Sequence, residues 1–423
     1  MATSFIVAAA KKVDFPTFGF PITPASTAAA LTRDVITIRS LSQAMPRVAV
    51  VGAGTAGVEA AKVAAGNGAR VVLFEAGERI PPPKSSWPSV LGVEKKRPAA
   101  REEASILSAG AEVQFNQSVS KVSDDLSVVA GGRRTQFDAV IVCSGSAPVP
   151  ERIDGIRKSG VHVLDSRSAF AELGKRFGEY GKAVVSGSGP VAVEVAERLR
   201  SRRIAVSMLS PGGVMPSLNG APRRIVVDAL SSWGIQVVDA KPEKVAGMER
   251  VEAVVASGEV IPGDCFVVVP RQAPRVPEVQ ATLGRSGGIV VDERMQSSRR
   301  FLYGAGDCAE LNAGKSTVSV MFESAAKLMG AVAGANASGR TVSSSVVGSF
   351  SVELVGVSIA SAGLGFAESV GLGLDVEEAS KTWKGELACS LVYTRGARTV
   401  VGAQLAGRGV GRFADSLPII LAA

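Results

Sequence analysis

Three glycines and a glutamate carry the first chemistry that can be read from this chain. In RVAVVGAGTAGVEAAKVAAGNGARVVLFEAG (47–77), Gly52, Gly54 and Gly57 follow the apolar run 48–51. Glu75 ends a second apolar run, 71–74, 18 positions beyond Gly57. Each residue type has a physical reason to be there. Gly52 allows a tight turn, Gly54 lets a pyrophosphate approach the backbone, and Gly57 lets helix and strand pack closely. The helix that follows would point its amide end at the phosphates, while the Glu75 carboxylate accepts ribose hydroxyls. Thr55, Ala56 and Ala76, which flank these positions, are further candidate contacts. The chemistry is recognition of a dinucleotide.

The unit occurs twice. KAVVSGSGPVAVEVAERLRSRRIAVSMLSPGG (182–213) places Gly187, Gly189 and Ala192 each 135 residues after its counterpart, and Glu194 and Ser210 answer to Glu59 and Glu75 at the same offset. Pro190 and Val191 open the second helix. A dehydrogenase needs one such unit; two suggest a flavin dinucleotide, FAD, and a nicotinamide dinucleotide that face each other. In the second copy Ser210 replaces the acid and removes the charge that would repel a ribose 2′-phosphate. Arg202, Arg203, Arg223 and Arg224 offer cations. NADH and NADPH therefore both stay open.

Strands and helices must position these turns, and the composition suits them. A chain of 423 residues, 46% hydrophobic with 47 glycines, is expected to form two or three α/β domains with buried parallel strands. The net charge of +8 favours anionic partners, but the basic residues are dispersed and aromatics make up only 5%, which argues against a nucleic-acid surface. No apolar run is long enough for a transmembrane segment. Four cysteines (Cys143, Cys265, Cys308, Cys389) form no CxxC pair, and with His162 as the single histidine no metal site is expected. The reading is a cytoplasmic protein. Residues 1–44 keep no periodicity and hold only Asp14 and Asp34 as acids; they are expected to be a leader outside the mature fold, with Met45 as a candidate start.

Beyond the repeat, the chain resembles the pyridine nucleotide–disulfide oxidoreductase family over about residues 45–423. DAVIVCSGSAPVP (138–150) is similar to the strand and turn that lead out of that family's flavin domain, with Ser144 and Gly145 as candidate contacts. VDERMQSSRRFLYGAGDCAE (291–310) is similar to its second flavin motif, in which Gly306 and Asp307 would meet the ribityl chain. The resemblance implies a helix near 320–334 with its N-terminus towards the flavin, contact between Glu194 and the nicotinamide carboxamide, and an α+β dimerisation domain at the end. The fold expected is two doubly wound α/β domains plus that third domain. Its parts run 45–155 for the FAD domain, 156–285 for an inserted NAD(P) domain, 286–343 for the rest of the FAD domain and 344–423 for dimerisation.

One departure from the resemblance is functional. Family members built like coenzyme A disulfide reductases and NADH oxidases carry a redox cysteine shortly after the second strand. Here that stretch reads GERIPPPKSSWPSVLG (77–92), with no thiol. Lys84 and Trp87 are candidates to line the acceptor side, Lys84 with a catalytic role alongside Glu194. Arg271 stands where the family has a glycine. The expected activity is hydride transfer from NAD(P)H to FAD, then direct electron delivery to a small-molecule or protein acceptor by a homodimer. Disulfide reduction and a non-catalytic flavin-binding subunit are the alternatives.

Overall fold

The computed structural model describes residues 45–91, 105–313, 316–346 and 348–413, with the single positions 417 and 421. The chain divides into a unit of Met1–Met45 and a unit of Pro46–Ala423. The leader expected over 1–44 lies outside the described residues, and the fold is that of the second unit.

Arg47–Val51 and Arg70–Phe74 are strands buried at every position after the first. That continuous apolar pattern belongs to strands covered on both faces. They pair in parallel on either side of helix α1 (Thr55–Gly66), and Ala139–Val142 joins the other flank of Arg47–Val51. The chain then crosses to a second domain along Ser146–Pro148, which pairs antiparallel with the returning strand Gln272–Pro274.

The second domain repeats the first. Its five-stranded parallel sheet is ordered Ile235–Val238, Ala205–Leu209, Lys182–Ser186, Cys265–Val268, Val161–Val163. Helices α2 (Arg167–Lys175), α3 (Pro190–Ser201) and α4 (Gly220–Ser232) surround it. The offset of the sequence repeat survives to the residue. Val48 pairs with Val71 and Ala183 with Val206, while α1 and α3 each span 12 residues from equivalent starts. His162 sits in the edge strand Val161–Val163, with Nε2 2.8 Å from the buried Tyr180 hydroxyl.

Only after this second sheet is built does Leu302–Gly304 return to the first, pairing in parallel with Ala139–Val142. The first domain is thus split by the second. Helix α5 (Glu323–Ala337) follows, three residues later than the expected 320–334. A five-stranded antiparallel sheet with the short helix α6 (Phe366–Gly371) ends the fold, and Arg395 and Gly396 lie in the turn between Leu387–Thr394 and Val400–Gly407.

This last sheet is locked to the second domain by buried polar groups. The Asn219 amide nitrogen donates to Gln404 Oε1 (2.6 Å), Asn219 Nδ2 donates to Ser390 Oγ (2.7 Å), and Gln404 Nε2 donates to the Ser217 carbonyl (2.6 Å). Gln404 is 1% exposed, so breaking this set would strand buried donors and acceptors.

In the first domain α1 and α5 pack backbone to backbone. A Cβ on Gly330 would strike the Ala56 carbonyl, and one on Gly334 the Ala60 carbonyl. Residues four apart share a helix face, so the Gly330/Gly334 pair lies against the Ala56/Ala60 pair. Gly334→Ala is expected to cost about 1–3 kcal/mol through overpacking, seen as a lower thermal midpoint. Gly66→Ala, at the end of α1 with no atom within 4 Å of the added carbon, should be neutral or stabilising by up to about 1 kcal/mol. Equal destabilisation by both changes would show that close helix contact is not what the glycines provide.

Candidate functional site: two dinucleotide turns joined through Lys84

The first turn is shaped by what it excludes. Gly52 has φ +98°, its amide donates to the Phe74 carbonyl (2.8 Å), and a Cβ there would sit 2.6 Å from the Cys143 carbonyl. Gly57 lies directly against the Gly52 carbonyl. Gly54, by contrast, faces open space: nothing lies within 4 Å of where its Cβ would stand. No side chain caps α1, whose N-cap is Gly54, so the amides of Thr55 and Ala56 stand at an open turn. Glu75 is held across from them, its Oε2 accepting from the Ala53 amide and its Oε1 from the Gly77 amide, both at 2.8 Å. Ala76 follows it into an exposed turn.

The second flavin motif closes on the same place. Gly306 (φ +75°) approaches so near that an added Cβ would lie 3.0 Å from the Ala56 side chain. Asp307 Oδ2 accepts from Ser146 Oγ (2.7 Å). Gly145 (φ +70°) has open space over its Cα, and Ser144 Oγ donates to the Arg275 carbonyl. Ser319, just ahead of α5, buries a hydroxyl with no hydrogen-bond partner among the described residues. An open cradle over Gly54 and Gly145, an uncapped helix end and two placed carboxylates fit FAD. Glu75 would take the ribose, the α1 turn the pyrophosphate and Asp307 the ribityl hydroxyls.

Lys84 joins this network. Within the thiol-free stretch 77–92, Lys84–Leu91 form a 3-10 helix. Lys84 Nζ donates to the Ser146 carbonyl (2.6 Å), to Ser146 Oγ (2.8 Å) and to Gln272 Oε1 (3.1 Å), gathering both strands of the interdomain crossing. Burial lowers the Lys84 pKa, the Asp307 carboxylate opposes that and the Arg275 guanidinium adds to it. Trp87 packs edge-on against Phe170 of α2 at 6.3 Å, so this helix bridges the two domains rather than presenting its tryptophan to an open face.

The nicotinamide turn repeats the geometry with variations. Gly187 has φ +151° and lies against the Ala192 side chain, which stands in the third glycine position. Gly189 faces open space and is the uncapped N-cap of α3, with Pro190 first in the helix and Val191 half-buried behind it. Glu194 pairs with Arg198 at 3.5 Å; burial raises its pKa, against the lowering pull of Arg198. Lys84 and Glu194, the two candidate catalytic residues, are anchored to different partners. Ser210 is fully buried and donates to Ser188 Oγ (3.0 Å). Its hydroxyl is spent on the turn rather than offered outward. Arg223 donates to the Leu218 and Pro216 carbonyls, and Arg202 stacks on Phe177, so neither stands ready for a 2′-phosphate. Arg271, where a family glycine was expected, does not have positive φ, so the backbone there does not require glycine.

Sequence reasoning missed Ser146 and Gln272, the acceptors that hold Lys84. Ser146 lay inside a quoted motif, but its partners are 62 and 161 residues away and no local period could reveal them.

All four cysteines are described, and all are buried. Burial raises each pKa, to about 12 for Cys265 and Cys389. For Cys143 burial acts first and neighbouring Cys308 adds to it; Cys308 itself is raised mainly by burial and directs its thiol at the Val142 carbonyl (3.2 Å). These are thiols, not thiolates, at neutral pH. No described helix is long and apolar enough to cross a membrane.

Two glycine turns on two parallel sheets, one domain inserted in the other, define the class of two-nucleotide flavoproteins. The model of a family described as pyridine nucleotide-disulphide oxidoreductase matches residues 46–333. The chain belongs to that family, whose cofactors are FAD and NAD(P)H. It is 30% identical over 213 residues to an NADH oxidase of Methanocaldococcus jannaschii, a match covering 48% of this chain and 47% of the relative. The chain therefore spans about half the length of that curated relative. It is 26% identical to a rubredoxin-NAD(+) reductase of Pseudomonas putida over 62% of this chain and 71% of the relative. A NAD-dependent persulfide reductase from A. fulgidus shares the fold with a TM-score of 0.78 at 24% identity, covering 89% of this chain and 76% of that one.

Asp307→Ala is expected to weaken FAD binding about 10- to 100-fold, the range for losing a hydrogen bond to a charged group. The flavin absorbance per mole of purified protein measures it, and full occupancy would refute the ribityl assignment. In the native protein a disulfide thiol reagent should label none of the four cysteines rapidly; labelling of all four should require denaturant.

Proposed function

We propose that the protein is an NAD(P)H:acceptor oxidoreductase that passes electrons directly from its flavin to the acceptor, with no protein thiol in the path. Bound FAD supplies the redox chemistry, taking a hydride from NAD(P)H and passing electrons on. The chain supplies positioning. The amide ends of α1 and α3 would hold the two pyrophosphates. Glu75 and Asp307 would fix the flavin's ribose and ribityl hydroxyls, and Glu194 would orient the carboxamide. Holding both nucleotides in a near-attack arrangement is the main source of rate.

The observation that carries this reading is the state of the cysteines. Every thiol is buried, while the place where a redox cysteine was expected holds Lys84, anchored beside Asp307. That disfavours the disulfide-reductase alternative. An ammonium there favours an electron-rich flavin and an acceptor that needs no thiol exchange: oxygen, a quinone or dye, or a small electron-transfer protein. The resemblance to an NADH oxidase and to a rubredoxin-NAD(+) reductase supports that range of acceptors. On this reading the C-terminal sheet is where two copies would meet.

Anaerobic titration with NADH and with NADPH should bleach the flavin absorbance within minutes. Air, a quinone dye or rubredoxin should then restore it at rates that rank the acceptors. A variant with all four cysteines changed to serine should keep those rates within about twofold of wild type. Flavin that neither nucleotide bleaches would leave the protein a non-catalytic flavin carrier. Loss of turnover in the folded four-serine variant would restore the thiol route.

A further inference from the structure

We infer that Asp239 selects NADH over NADPH, doing from the neighbouring strand what an acid at position 210 would otherwise do. The inference rests on the nicotinamide reading of the second turn and names the nucleotide it takes. At the end of Ala205–Leu209 the acid is replaced by Ser210, which is fully buried with its hydroxyl committed to Ser188. By that residue alone the site would tolerate a 2′-phosphate.

The adjacent strand, Ile235–Val238, changes the outcome. It pairs in parallel with Ala205–Leu209, and the Ser210 amide donates to the Val238 carbonyl (2.9 Å), so the two strand ends lie level. The next residue is Asp239. Its Oδ1 accepts from the Gly212 amide at 2.8 Å, which fixes an exposed carboxylate two residues past Ser210, at the rim where the ribose belongs. Among the described residues Oδ2 has no hydrogen-bond donor and Asp239 has no ion pair. A ribose 2′-hydroxyl can donate to that oxygen; a 2′-phosphate would meet it as a second negative charge. Two of the four arginines near the turn are already engaged. Arg223 is bound to two backbone carbonyls, and Arg202 lies over the Phe177 ring.

Binding of NAD+ and NADP+ to the flavin-loaded protein, measured by calorimetry without turnover, tests this. Wild type should bind NAD+ about tenfold or more tightly over NADP+. Asp239→Asn keeps an acceptor for the Gly212 amide and removes the charge. It should raise NADP+ affinity several-fold while NAD+ affinity falls, because the ribose hydroxyl loses its acceptor, and the gain for NADP+ should shrink at high salt. Wild type preferring NADP+, or an unchanged ratio in Asp239→Asn, overturns the assignment. Binding of neither nucleotide to folded, flavin-loaded protein would instead strike the function proposed for the second turn, a separate failure.

Discussion

The amino end of α1 has no space for side chains on three of its sides, and the first nucleotide site depends on that crowding. Gly57 lies on the Gly52 carbonyl, Gly306 on the Ala56 side chain and Gly330 on the Ala56 carbonyl. Two segments far along the chain, around Gly306 and Gly330, thus converge on one helical turn. Only the fourth side, over Gly54, is open. Close-packed interiors do not deform continuously, so an added methyl cannot be absorbed locally. The opening is left where the amides are unsatisfied, and this is why the place that admits a phosphate is also the place that attracts one.

The second unit has the same plan under a looser constraint. Ala192 stands where Gly57 stands, and Gly187 accommodates it with a more extended backbone (φ +151° against +98° at Gly52). That slack is taken up by side chains: Ser188 and Ser210 bond across the turn, and the Met215 amide donates to the Ser188 carbonyl (2.6 Å). From Met215 the chain runs to Ser217 and Asn219, which the C-terminal sheet grips through Gln404 and Ser390. The first turn is stabilised by packing and the second by a polar chain that ends in another domain.

Much of this was legible in the sequence because it is local. The glycine spacing, the 135-residue repeat and the apolar strands 48–51 and 71–74 each state geometry between near neighbours, and all survive to the residue. The family resemblance extended that reading to Asp307 and to the split first domain. The failures share a cause. The start of α5, the bridging 3-10 helix, the edge-strand place of His162 and the buried Ser210 are set by tertiary packing, which local propensity does not encode.

Lys84 shows the same division in one residue. The missing thiol between 77 and 92 was plain from the sequence, and it bore on function at once. What replaced the thiol was not plain, because a lysine in a proline-rich run reads as solvated surface. Its meaning comes from acceptors 62 and 188 residues away that the two crossing strands bring to it. A cysteine at this position would have made the chemistry depend on one atom of the protein. An ammonium tied to Ser146, Gln272 and, through Ser146, Asp307 would, on the proposed reading, make it depend instead on a field that the crossing itself maintains. On the proposed reading, electron transfer and domain arrangement would rest on the same few bonds.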